Sequence, residues 1–215
     1  MAFKFQRRDK RLVVTRRGLM AGSLSLWVAS RPAFAALVAT PAQTPGPFYP
    51  RTKPFDSDMD LTRIAGGSEA ALGEVIEVQG RILSAKGEPL GGAIVEIWQA
   101  DSFGRYNHPG DLQGRDANFQ GYGAVRTGTD GSYRFRTIRP RHYKAGSLVR
   151  TPHIHFRVVT QARAELITQM YFPDHPLNAS DGIYLSLPGE AARQAATARL
   201  VENPIPQYHF NIVLV

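Results

Sequence analysis

The stretch VRTPHIHFRVV, residues 149–159, sets His153 and His155 one residue apart in an apolar run. In a strand, residues i and i+2 share a face. Both imidazoles therefore project together, and Ile154, Phe156 and Val158 project oppositely as core. Neutral imidazole is the commonest protein metal ligand, so the pair reads as half of a metal site; two hydrogen-bonded histidines are the alternative. Two imidazoles need company. Zinc wants a third His or a carboxylate, and an Fe(II) site wants a carboxylate. The first acid after His155 is Glu165, on the next strand-like run, and His209 is the other histidine in a strand pattern. Two tyrosines offer a different donor. Tyr106 in WQADSFGRYNHP and Tyr143 in TIRPRHYKAG each follow a strand-like run. A phenol has a free pKa of about 10, and Fe(III) ionises it more readily than Zn(II) or Fe(II). Two tyrosines and two histidines would hold Fe(III) and leave room for a chelating diol. Singly, each tyrosine also reads as a packed turn residue.

The elements that must position these residues are short strands. EVIEVQGRIL and AIVEIWQA are rich in β-branched residues and alternate, with Ile94, Glu96 and Trp98 on one side and Val95 and Ile97 on the other. GTDGSYRFRTI is a turn and a strand; HIHFRVV, ELITQMYF and YHFNIVLV follow. Strands separated by Gly, Pro and Asp turns predict an all-β fold, an antiparallel β-sandwich, over residues 74–215. PGEAARQAATARLVEN has helical composition and predicts one short helix on a connection. Residues 36–73, with TPAQTPGPFYP, read as an extended N-terminal arm lying on the domain.

The formal charge of +8 suggests a nucleic-acid or membrane partner until it is located. Residues 1–35 hold eight of the 26 basic residues and one of the 18 acidic ones, so this segment carries +7 and the remainder +1. A nucleic-acid role loses its support. The same segment reads as a signal peptide: a basic region, the apolar LMAGSLSLWVAS, then a small-x-small site at Ala33-Phe34-Ala35. The apolar run is too short for a stable membrane span. Arg16 and Arg17 in TRRGLM resemble the twin-arginine export signal. The expectation is export to the periplasm or beyond, with the mature chain starting near Ala36. The chain has no cysteine, which excludes thiolate metal sites, cysteine nucleophiles and disulfides.

Five separated pieces, TPGPFYP, GGAIVEIWQADSFGRY, RTGTDGSYRFRTIRPRHY, RTPHIHFRV and TQMYFPDHP, resemble the intradiol ring-cleavage dioxygenases, above all the protocatechuate branch. They keep the family's order and cover most of residues 41–176. The resemblance implies one non-haem Fe(III) per chain on Tyr106, Tyr143, His153 and His155, with Tyr143 also acting as a base. It implies that Arg150 stabilises charge on the ring, and that Gly46, Pro47, Trp98, Arg150 and Gln169 contact substrate. The implied reaction uses O2 to cleave a catechol between its hydroxyl-bearing carbons, giving a cis,cis-muconate. Too few residues precede Glu74 for the helical dimerisation domain of the catechol and hydroxyquinol branches; a homo-oligomer is the remaining partner expectation. KAGSLV, after Tyr143, is shorter than the family's loop, which helps choose the substrate.

Residues 74–138 also resemble a non-catalytic β-sandwich binding module of the transthyretin or carboxypeptidase-regulatory type. Such a module has no reason to supply Tyr143, Arg150, His153 and His155 in order. Another H-x-H metal enzyme, using Zn or Fe(II), is the third reading.

Overall fold

Period-two alternation along the chain becomes eleven strands in the computed structural model, which describes residues 37–54, 56–111, 114–173 and 175–215. The expected export signal, residues 1–35, lies outside the described residues. The strands are β1 (Val75–Ser84), β2 (Ile94–Gln99), β3 (Tyr122–Arg126), β4 (Ser132–Ile138), β5 (Tyr143–Ala145), β6 (Leu148–Arg150), β7 (His153–Val159), β8 (Glu165–Tyr171), β9 (Arg199–Val201), β10 (Gln207–His209) and β11 (Ile212–Leu214).

One sheet has the order β3-β2-β7-β8 and is antiparallel throughout. The other is built on β1, which pairs antiparallel with β4 and parallel with β10 and β11. Parallel pairing needs a long return rather than a hairpin, and the chain reaches β10 only after the other sheet is complete. Fully buried Val78, Ile82 and Phe135 share one core with Val95, Ile97, Ile154, Phe156 and Val158 of the first sheet. Burying large aliphatic and aromatic side chains contributes about 1.5–3 kcal/mol each, so this core sets the register of β2 against β7.

The connection from β8 to β9 carries a 3-10 turn (Pro176–Ser180), α1 (Gly182–Leu185) and α2 (Gly189–Ala195). The helical composition of 188–203 is thus realised only in its first half. At Ala196 the backbone turns to pair with the end of β8: Tyr171 N–H donates to Ala196 O, and Ala198 N–H to Tyr171 O, both at 2.9 Å. Those sheet bonds override helix propensity. The strand YGAVR and the β5–β6 hairpin are elements that the alternation does not announce.

The arm stitches the two sheets at one edge. Thr40 N–H donates to Val213 O of β11 at 3.0 Å, and Gln43 N–H to Ile167 O of β8 at 2.8 Å. It then passes over the outer face of β2 and β7. That face carries the imidazoles opposite the core, as their period requires, and it is covered: His153 is 2% and His155 1% exposed.

Candidate functional site

Strand register places the two histidines. His155 sits opposite Trp98 of β2 and Gln169 of β8, and His153 opposite Tyr171. His153 Nδ1–H donates to Thr151 O at 2.6 Å. That bond fixes the tautomer and leaves the Nε2 lone pair free. Nε2 of His153 faces Nε2 of His155 at 3.2 Å.

One phenol arrives from the loop after β2 and the other from the first residue of β5. Asp101, at the end of β2, takes the N–H groups of Phe103 and Arg105 on one carboxylate oxygen, at 2.8 and 2.9 Å, and Asp116 N–H on the other at 2.7 Å. This folds DSFGRY so that Tyr106 returns beside Ala100. Gly104, at φ 79°, lies where a Cβ would stand 2.6 Å from His142 O, so the Tyr106 loop packs directly on the backbone leading to Tyr143. Tyr143 opens the β5–β6 hairpin, cross-strand from Arg150. The rings of Tyr106 and Tyr143 meet edge to face at 5.3 Å, and Tyr143 lies 5.7 Å from the His153 ring. All four predicted ligands therefore gather in one place.

Burial pushes the Tyr106 phenol well above its ordinary value, and neighbouring Tyr143 pushes it further. Burial raises Tyr143 too, against the charge of Arg150. Burial drives His153 down to about 3, helped by Arg150. It drives His155 well below 6.5, with His153 and Arg150 adding. All four groups are neutral at pH 7, and the Tyr106 hydroxyl and His155 Nδ1 are buried without a well-aligned hydrogen-bond partner. A cation fits this donor set: it would take both Nε2 lone pairs and favour the charged form of both phenols. Among the described residues no group of three or more His, Asp or Glu gathers to hold a metal, so a site here must draw on the tyrosines.

Arg150, 3% exposed, is pinned on two sides. Its Nε donates to Asp181 at 2.9 Å and its Nη2 to Gln169 Oε1 at 2.6 Å. Gln169 Nε2 in turn donates to Thr44 O of the arm at 3.0 Å, and Tyr171 Oη donates to Gln169 Oε1 at 3.2 Å. Burial pushes the Asp181 carboxyl up, but N–H donors from Tyr184 and Thr151 and the Arg150 charge hold it below its ordinary value. Removing one partner of such a buried pair typically costs about 3–5 kcal/mol.

The arm roofs the site. Gly46 packs on His155, where a Cβ would stand 3.4 Å from Cε1; Pro47 next to it is exposed. Phe48 stacks on Tyr106 at 4.6 Å. Tyr49 meets Trp98 edge-on at 4.8 Å and donates to Glu96, which also pairs with Lys53 at 2.8 Å. Sequence reasoning missed Asp181, Phe48 and Tyr171. Asp181 does carry a signal, a capping residue before GIYL, but a cap motif does not say which arginine lies behind it. Elsewhere the cleft between Leu37, Leu83, Ala195 and Val213 has no ionisable lining residue.

Comparison with known proteins adds to this geometry. The family described as "Dioxygenase" matches residues 44–215. The chain is 40% identical over 168 residues to the protocatechuate 3,4-dioxygenase beta chain of Burkholderia cepacia, covering 73% of this chain and 71% of that one. It is 35% identical to catechol 1,2-dioxygenase of Candida albicans over 50% of this chain, and spans 39% of that enzyme's length. Among solved structures it is similar to the dioxygenase domain of a dioxygenase carbohydrate-binding protein fusion from Streptomyces sp. SirexAA-E, with TM-score 0.63, 28% identity, and 82% of this chain and 98% of that chain covered.

Proposed function

This chain belongs to the intradiol ring-cleavage dioxygenases, a family of oxidoreductases, and from that premise we propose that it opens a catechol-type ring between the two hydroxyl-bearing carbons with O2, to a cis,cis-muconate-type product. One observation carries the reading: two imidazole Nε2 atoms 3.2 Å apart, beside two buried phenols in edge-to-face contact. Tyr106, Tyr143, His153 and His155 would hold one non-haem Fe(III) per chain. When bound, the ferric ion supplies a Lewis acid that ionises phenolic oxygens, the substrate's included.

The protein's own groups divide the remaining work. Tyr143 is the more exposed phenol, at 9% against 2% for Tyr106, and its Oη would accept a proton from a substrate hydroxyl. Arg150, cross-strand from Tyr143, would stabilise negative charge developing on the ring, in a buried site where fixed charge acts strongly. Gln169 links Arg150 to the arm. Trp98 and Phe48 would wall the ring, and Gly46 with Pro47 would close over it and exclude water. The β5–β6 hairpin, whose KAGSLV stretch adjoins Tyr143, would read the ring substituents.

Oxygen uptake by the iron-loaded protein against catechol, protocatechuate, hydroxyquinol and chlorinated catechols tests this. Uptake matched by ring loss and muconate absorbance is expected with at least one of them; no uptake with any overturns it.

We also propose that the chain is exported by the twin-arginine route, on the sequence around Arg16 and Arg17. No helix among the described residues is long and apolar enough to cross a membrane. Arg16→Lys/Arg17→Lys is expected to block export; normal export contradicts the route.

A further inference from the structure

We propose that Asp181 is the positioning residue for the Arg150 guanidinium, and that through it the connection between β8 and β9 becomes part of the ring-cleavage site. The inference rests on the role given above to Arg150.

Asp181 is fully buried, and its two oxygens take four donors. Oδ2 accepts from Arg150 Nε at 2.9 Å and from Thr151 N–H at 2.8 Å. Oδ1 accepts from Ile183 N–H at 2.9 Å and Tyr184 N–H at 3.0 Å, which starts α1. The carboxylate cannot swing toward or away from Arg150 without releasing the first turn of α1. A short helix that otherwise touches no reacting group thereby sets the position of a guanidinium.

The geometry also explains the choice of residue. Arg150 is a planar fork. Asp181 holds Nε and Gln169 holds Nη2, so two contacts fix the plane. Neither contact takes Nη1, and the guanidinium also lies within hydrogen-bonding reach of the Tyr143 and Tyr171 phenols. Asp181 further grips Thr151 N–H, and Thr151 O is the acceptor for His153 Nδ1–H. One carboxylate therefore orients the arginine directly and one imidazole through the backbone. Asparagine offers one oxygen and one amide nitrogen. It can cap α1 or hold Arg150 and Thr151, but not both. Glutamate keeps both oxygens on a stem one methylene longer.

The test compares Asp181→Asn and Asp181→Glu with wild type in the iron-loaded enzyme. For Asp181→Asn, kcat is expected to fall about 10²-fold, the cost of a misplaced group near the chemistry, with KM within about threefold. Asp181→Glu is expected to recover part of kcat. A kcat within about twofold of wild type, or a loss confined to KM, overturns the proposal. The second measurement reads the pair without turnover. In metal-free protein labelled with ¹⁵N-arginine, the Arg150 Nε–H signal, assigned by its loss in Arg150→Lys, is expected to exchange far more slowly than exposed Arg199. Fast exchange in wild type overturns the proposal even if Asp181→Asn does not fold. If wild type opens no catechol, the functional reading fails separately. The exchange rate in Asp181→Asn then decides: fast supports the positioning role and slow overturns it.

Discussion

Trp98 lies flat on His155, with ring centroids 4.8 Å apart and planes within 6°. The two are cross-strand partners in β2 and β7, so sheet register holds the stack in place. The stack fixes the plane of the imidazole and so the direction of its Nε2 toward His153. The hydrophobic core beneath β2 and β7 thereby sets the geometry of the site above them.

Trp98 is 1% exposed and its indole N–H is buried without a partner. Trp98→Ala is expected to cost about 3–5 kcal/mol in urea unfolding of the metal-free protein and to weaken Fe(III) binding. Trp98→Phe keeps an aromatic face and removes the orphaned donor, so its cost is expected to stay under about 1.5 kcal/mol. Equal losses for the two variants contradict the stacking role.

The Tyr106 hydroxyl is a site that stability alone does not favour. It is buried with no hydrogen bond of good geometry, the Tyr143 hydroxyl being within reach but poorly aligned, and a buried hydroxyl so poorly paired costs about 1–3 kcal/mol. Tyr106→Phe is therefore expected to stabilise the metal-free protein by about 1 kcal/mol while weakening Fe(III) binding. Thermal unfolding with and without iron checks both halves. A destabilised metal-free variant contradicts the account.

Gly46 holds φ 67° where the arm meets His155. A side chain in that conformation costs about 1–2 kcal/mol. Gly46→Ala is expected to loosen the roof, lowering kcat/KM several-fold at unchanged iron content. Unchanged kinetics would show that the arm does not close the site.

How much of this was legible in the sequence differs by residue. The histidine pair and its buried opposites Ile154, Phe156 and Val158 follow from period two alone. Tyr106 and Tyr143 do not: neither lies in a periodic run, so donor chemistry made them candidates, the family resemblance made them a set, and Asp101 and Gly104 show what brings them together. Asp181 pairs with an arginine 31 positions away, a contact that no local pattern encodes. KAGSLV resisted reading because its hairpin turns on Gly146 at φ 62° with only three residues per strand. The second half of the 188–203 helix pattern yielded to pairing with Tyr171.

The arm is clamped by charge as well as by rings. Burial pushes the Glu96 carboxyl up, but hydrogen bonds from Lys53 and Tyr49 and the charges of Lys53 and Arg157 outweigh it and hold it below 4.5. Arg157 is shared with Glu165 at 2.7 Å. A carboxyl lowered by folding adds stability that is full above its unfolded value and is lost as pH falls through the folded one. Glu96→Gln is expected to flatten the acid limb of stability below pH 4.5. Matching acid limbs in denaturation across pH contradict the clamp.

The most direct test of the central claim is resonance Raman spectroscopy of the Fe(III)-loaded protein, beside Tyr106→Phe and Tyr143→Phe. The account predicts a coloured complex with one iron per chain and tyrosinate vibrations enhanced within the visible band. Each phenylalanine variant is predicted to lose part of that enhancement, and catechol to shift the band. A colourless Fe(III) complex, or a band unchanged in both variants, would contradict it.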